Sequence, residues 1–398
     1  MVQEKYDMKP GLVLSAKEIS GDDAGARIAR ACDYMESLYA GGQYPGLSVT
    51  RSWSRHNPVI HGELARPDAI RWFLEREIKK LLDKGADIGI FPSRERIGQG
   101  DPALLDAMDE EDWDIRQKKL FLFTPERMEL SMDRIAHYTG CDASAFQRYL
   151  VFTNYDMHIE MFMKRFPGCA GPCRDGVQMP AYHAPIGDKL GVSIVNIGVG
   201  PSNAKTVTDH LAVLRPDAMI MMGHCGGLRN HQEIGDFVLA SGYMRDDQLL
   251  DELIPLNVPI IPNFILNSLL SEEMARRGLS FRQGTVFTTG NRNWEFAKKR
   301  YARLFGLSRS IAIDMESATI ATNGFRYRIP HASLLAVSDK PLHGSPKAAA
   351  GAREFYERSK EQHLDIVLRA IEFSRTSYPQ GFPNDAVRGT DEPLLGGA

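Results

Sequence analysis

The chain has 398 residues, 43% apolar and 25% charged, which suits two domains of ordinary soluble composition. Its 48 basic and 51 acidic residues leave a net charge of −3. That argues against a binder of nucleic acid or of membrane surfaces, while still allowing a local basic pocket for a small anion. No apolar run reaches the roughly 18 residues of a membrane span. The opening stretch MVQEKYDMKPGLVLSAKEIS lacks the apolar core of a signal peptide, so a cytoplasmic location is expected. Cys32, Cys141, Cys169, Cys173 and Cys225 are scattered and odd in number, as reduced thiols would be. The pair in GCAGPCRDG has no second Cys/His pair nearby, so two free thiols in a loop are the plainer reading and no metal is expected.

Residues 21–42 read as an amphipathic helix opened by acids and closed by two glycines. YPGLSVTRSW follows as an alternating strand. Residues 66–87 carry Ile70, Phe73, Leu74, Ile78 and Leu81 at helical spacing, and ADIGIFPS is then a short strand. Residues 98–114 are acidic and bear Gly and Pro, as a loop with one helical turn would. TPERMELSMDRIAHYTG (124–140) is a helix with Thr124 as N-cap and Gly140 just past its end.

From about 150 the texture changes. TNYDMHIEMFMKRF (153–166) reads as a helix. Residues 191–214 are strand, glycine turn and helix, and 216–227 are a buried strand ending in glycines. Further strands are expected at 235–245 and 284–295, then a strand-to-helix unit at 310–327, a last strand HASLLAVSDKP and a closing helix at 350–375. Alternation of this kind indicates an α/β sheet. The expected organisation is a smaller α+β domain over 1–150, a larger α/β domain over 151–375 and a flexible, Pro/Gly-rich tail over 376–398.

Polar residues gather at the strand ends of the second unit. GVGPSNA (198–204) sets a glycine turn before a helix N-terminus, where backbone N–H groups attract anions. Its dinucleotide fingerprint is broken at Asn203, and MGHCGG (222–227), a second glycine turn, lacks the Lys-Ser/Thr of a P-loop. In AIDMES, Asp314 and Glu316 share a face if extended. Two acids there suit ligand hydroxyls; alternatively Asp314 simply caps the following helix. Trp294 in RNWE either stacks on a flat ligand or packs in the core. His158, His224 and His343 match no metal spacing, and no G-x-S-x-G elbow is present. In LLAVSDKPLHG (334–344) an apolar strand runs into Asp339, at the carboxyl end where open α/β sheets bind ligands.

Together, VNIGVGPSNAKTVTDHLAVLRPDAMIMMGHCGGL, RNWE, AIDMESATIA and AVSDKPLHG, with TNYD upstream, resemble the AMP nucleosidase family of the nucleoside phosphorylase and hydrolase superfamily. The resemblance implies a three-layer α/β/α sandwich around a mixed sheet, a homohexamer, and hydrolysis of AMP to adenine and ribose 5-phosphate. It implies that Asp339 protonates or hydrogen-bonds N7 of the leaving adenine, that Glu316 holds the ribose hydroxyls over Met315, and that Trp294 stacks on the base. Ser202, Asn203 and Gly223, at the two glycine turns, are further substrate contacts, and Arg292, Lys347 and Arg353 are the candidate phosphate cations. The acid role requires an Asp339 pKa raised by its apolar strand, with Lys340 facing elsewhere.

Hexameric phosphorylase relatives hold inorganic phosphate with an arginine and a serine near a GSCG turn. Met221 and His224 stand there in this chain, which favours water as nucleophile. No cofactor is implied for the chemistry. MgATP as activator and phosphate as inhibitor are known of longer family members, whose N-terminal domain this chain shortens. Alternatives are a purine nucleoside phosphorylase and a regulatory protein that binds purine nucleotides without turnover.

Overall fold

The computed structural model describes residues 10–18, 23–53, 58–97, 119–343 and 352–383, with the backbone alone at 95, 96, 119 and 352–360. They form two compact units that divide between Asp133 and Arg134. The acidic segment 98–114 lies outside the described residues.

The first unit is an antiparallel sheet of β1 (Leu12–Ser15), β2 (Gln43–Thr50), β3 (Val59–Glu63) and β4 (Asp87–Arg96), in the order β1-β4-β2-β3. Two helices cover it. α1 (Asp23–Ala40) buries Ile28, Ala31, Cys32 and Met35, and α2 (Arg71–Asp83) buries Phe73, Leu74 and Ile78. α2 starts later than its apolar spacing suggests, because Arg66 takes a left-handed backbone (φ 46°) and Pro67 follows it. α3 (Pro125–Thr139) spans the division between the units. Thr124 Oγ1 accepts the Arg127 N–H at 3.3 Å, and Gly140 follows its end at φ 70°.

The second unit is a mixed eight-stranded sheet in the order β11-β10-β9-β12-β8-β5-β7-β6. Its strands are β5 (Tyr149–Thr153), β6 (Ala181–Ala184), β7 (Val192–Asn196), β8 (Ala218–Gly227), β9 (Phe237–Asp246), β10 (Phe281–Thr289), β11 (Ala312–Asp314) and β12 (His331–Asp339). β11 also pairs antiparallel with β8, so β8, β12, β9, β10 and β11 close into a ring. All ten residues of β8 are buried, which is why it reads as a continuous apolar run.

Helices cover both faces. Ala218, Ile220 and Met222 of β8 share one core with Ile159 and Phe162 of α4 (Asp156–Arg165), Leu266 and Leu270 of α6 (Phe264–Arg276), and Leu364 and Val367 of α9 (Ala352–Ser377). The other face carries α5 (Pro201–Leu211) and α8 (Ser317–Arg326); α7 (Lys298–Ser308) packs around Phe287 and Trp294. This is the expected α/β/α arrangement. Among the described residues, no helix is long and apolar enough to cross a membrane.

Two expectations change. MGHCGG is not a turn: Gly226 and Gly227 lie within β8, opposite Ile313 and Ala312. A Cβ on Gly226 would stand 3.0 Å from Ile313 Cγ2 and 3.4 Å from Pro341, so only glycine lets these segments approach. The stretch after 375 is not all tail. Phe382 is 3% exposed and joins the main core, with Tyr378 packed beside it. Residues 384–398 lie outside the described residues.

Candidate active site

The carboxyl ends of β5, β7, β8 and β12 lie at one edge, because these strands are mutually parallel. β11 reaches the same place by pairing with the last residues of β8. Glu316 is the centre of what gathers there. It is 1% exposed. Its Oε1 accepts the Gly200 N–H at 2.7 Å, and its Oε2 accepts from Asn154 Nδ2 at 3.4 Å. Gly200 sits at φ 114° before α5, so a left-handed glycine presents that N–H to the acid. Burial, and then the charge of Asp314, push the Glu316 carboxyl well above the usual range, while bonds from Gly200, Met315 and Asn154 pull it down.

Asp314 is a structural acid. Its Oδ2 accepts the Ser317 N–H at 2.9 Å, and its Oδ1 accepts from Thr288 Oγ1 at 2.6 Å. The capping alternative is the one its bonds satisfy, with α8 beginning at Ser317 rather than Met315. Met315 is half-buried between the two acids.

Asp339 ends β12 opposite Gly226, just past an irregularity after Val337. It is half-buried, and its Oδ1 accepts from Ser338 Oγ at 2.5 Å. Lys340 does face elsewhere: its Nζ donates to the Asn230 carbonyl at 2.9 Å. Asp314 follows Ile313, which pairs with Gly226 of β8, and Asp339 lies opposite the same glycine; the buried Cys225 thiol beside it is pushed up by desolvation and then by the charges of these two acids.

TNYD, which sequence reading left without residue roles, joins these parts. Thr153 Oγ1 bonds His158 Nδ1 at 2.7 Å, and Asn154 bonds Glu316. The Tyr155 ring meets His224 edge-on at 4.3 Å. Asp156 Oδ1 accepts from Asn196 Nδ2 at 2.6 Å, and Asn196 Oδ1 accepts the Gly198 N–H at 3.0 Å. One tetrapeptide therefore fixes the acid and the glycine turn. Its signal was a polar run after YLVFT, a buried five-residue strand that sequence reading did not recognise.

The remaining expected site residues divide. A Cβ on Gly223 would lie 3.5 Å from Asn154 Oδ1, which puts Gly223 beside the acid's partner. Ser202 is exposed and Asn203 half-buried in the first turn of α5, whose N-terminus has no side-chain cap. Arg292 is exposed two residues beyond Gly290, where a Cβ would lie 3.8 Å from Pro201 at the start of that helix. Trp294 is a correction. It is 6% exposed and packed against Tyr301 and Phe305 with Phe287 and Ile313, so the indole belongs to the core and is not offered to a base. Lys347 and the side chain of Arg353 lie outside the described residues.

The sequence profile of the Phosphorylase superfamily matches residues 174–372. An AMP nucleosidase from Escherichia coli K12 is 37% identical over 415 residues, covering 83% of this chain and 85% of its own length. The chain belongs to the AMP nucleosidase family. A solved AMP nucleosidase from Bacteroides thetaiotaomicron, 29% identical, superposes with a TM-score of 0.53 over 63% of this chain and 99% of its own. The superfamily match takes in the part that carries Glu316 and Asp339. A DeoD-type purine nucleoside phosphorylase from Oceanobacillus iheyensis is more distant, 26% identical over 46% of this chain and 77% of its own length.

Proposed function

We propose that this protein hydrolyses the N-glycosidic bond of AMP, giving adenine and ribose 5-phosphate. The observation that carries the reading is the presence of two carboxyl groups of different environment, Glu316 sealed in two residues past β11 and Asp339 half-open at the end of β12, on the two strands that both pair with Gly226 of β8. Such pairs divide the labour of acid and ligand holder. Glu316 accepts the ribose hydroxyls. Asp339 gives its proton to N7, so the purine leaves neutral while positive charge builds on the sugar. General acid help of this kind contributes about 10²–10⁴-fold.

The 5′-phosphate sits at the start of α5, where Ser202, Asn203 and uncapped N–H groups meet the loop of Arg292, with Lys347 and Arg353 as further cations. Water is the nucleophile. Met221, fully buried, offers no guanidinium where phosphorylase relatives bind inorganic phosphate. The assembly is a cytoplasmic homohexamer, with MgATP and phosphate as effectors; light scattering on the purified protein measures the first and AMP turnover with each effector the second.

The test is adenine release from AMP with and without inorganic phosphate, in wild type and Asp339→Asn. Phosphate-independent release with ribose 5-phosphate formed, and a fall of about 10²-fold or more in the variant, is expected. A strict need for phosphate makes the protein a phosphorylase, and AMP binding without release makes it a regulatory binder.

A further inference from the structure

Three histidines from distant parts of the chain meet near the carboxyl end of β8. His158 of α4 and His363 of α9 are fully buried, and His224 of β8 is 6% exposed. One ring nitrogen from each lies within 4.8 Å of the other two. The rings are ordered by their neighbours. His158 and His363 stand edge to face at 5.2 Å, and His158 and His224 are 5.5 Å apart.

Hydrogen bonds outside the cluster fix how two of the rings present themselves. His363 Nε2 bonds the Leu334 carbonyl at 2.8 Å. A carbonyl only accepts, so Nε2 carries the hydrogen and Nδ1 turns a lone pair inward. Burial pushes the His363 pKa down to about 4, which keeps that lone pair available at neutral pH. His158 is held through Nδ1 by Thr153 Oγ1 at 2.7 Å.

The place matters as much as the composition. His224 carries the Tyr155 ring on its edge. Tyr155 follows Asn154, which bonds Glu316, and Gly223 precedes His224 beside Asn154. The cluster is therefore joined to the groups assigned to the sugar through two pairs of consecutive residues, Asn154–Tyr155 and Gly223–His224. Hydrolysis needs a water there and an acceptor for its proton. Asp339 and Glu316 are already committed to the base and the ribose.

We propose that His158, His224 and His363 form the pocket of the hydrolytic water, with His224 taking its proton. A water bonded at about 2.8 Å to two acceptors bridges nitrogens roughly 4.6 Å apart, within the observed limit. In the step, the water oxygen lone pair forms the new bond to C1′. The C1′–N9 bond breaks and its electron pair goes to the purine, which takes the Asp339 proton at N7. The water's proton goes to the His224 imidazole and then to solvent. The inference rests on the hydrolase reading above and deepens it.

The test uses the full chain as wild type, His224→Ala and His363→Ala, in a methanol–water mixture. Melting temperature and AMP binding are checked first, and His224→Asn replaces His224→Ala if the alanine variant does not fold. Expected is a kcat lower by about 10²-fold in the His224 variant with KM nearly unchanged. The product also shifts. Wild type gives ribose 5-phosphate, whereas the variant, its pocket opened, gives methyl ribofuranoside 5-phosphate in proportion to the methanol present. A folded, AMP-binding variant with unchanged kcat and unchanged product ratio overturns the water pocket alone. Wild type that releases no adenine from AMP overturns the hydrolase reading and this inference together. One equivalent of transition metal in the wild type, lost in His363→Ala, also overturns it, since three neutral imidazoles are then metal ligands.

Discussion

Glu316 shows how one residue's surroundings set its chemistry. In water its carboxyl would ionise freely; here burial and Asp314 resist the charge. Because its folded pKa is raised, the folded state binds more protons than the unfolded one above the ordinary carboxylate range. Stability then falls as pH rises from that range toward the raised value. Glu316→Gln removes this burden, so urea unfolding of the variant across pH 5–9 should give a flatter stability profile than wild type, at the cost of AMP binding. The place of Asp339 was legible, since an apolar run that stops at an acid marks the end of a buried strand. At Trp294 the residues left core packing and base stacking both open, and it is Phe305 and Tyr301, from a helix that sequence reading passed over, that make it core.

At the scale of elements, α5 and α8 are bound by polar groups rather than by apolar ridges alone. Asp209 Oδ1 accepts from Asn323 Nδ2 at 2.9 Å, Tyr327 Oη at 2.7 Å and Arg326 Nη1 at 3.3 Å, while its Oδ2 meets Lys205 Nζ at 2.7 Å. Arg326 is almost wholly buried, so removing the acid strands a charge. Asp209→Ala should cost roughly 3–5 kcal/mol in chemical denaturation. It should also raise KM for AMP, because both helices begin at site residues, Gly200 and Glu316. Strands that end in glycines or acids were readable, as were helices with clear caps. YLVFT, and the helices α6 and α7, were not, since short apolar runs carry no period and α6 spreads apolar residues around much of its surface.

For the molecule as a whole, the ring of β8 to β12 and the long closing helix define what must be intact. α9 supplies His363 to the cluster, and Phe382 beyond it plugs the main core. Phe382→Ala should destabilise the second unit by about 3–5 kcal/mol, measured by thermal unfolding, with the site residues themselves untouched. The α/β class was legible from alternation, but not the closure, because nothing in AID marks a strand that pairs on two sides. That closure has a consequence for biosynthesis. β8 and β9 are neighbours along the chain, yet β12 lies between them in the sheet. As the chain leaves the ribosome, the gap between β8 and β9 must wait for nearly a hundred further residues to be translated, and the last of β12 to arrive is Asp339. A nascent or prematurely ended chain therefore holds a half-built sheet with an open seam between β8 and β9.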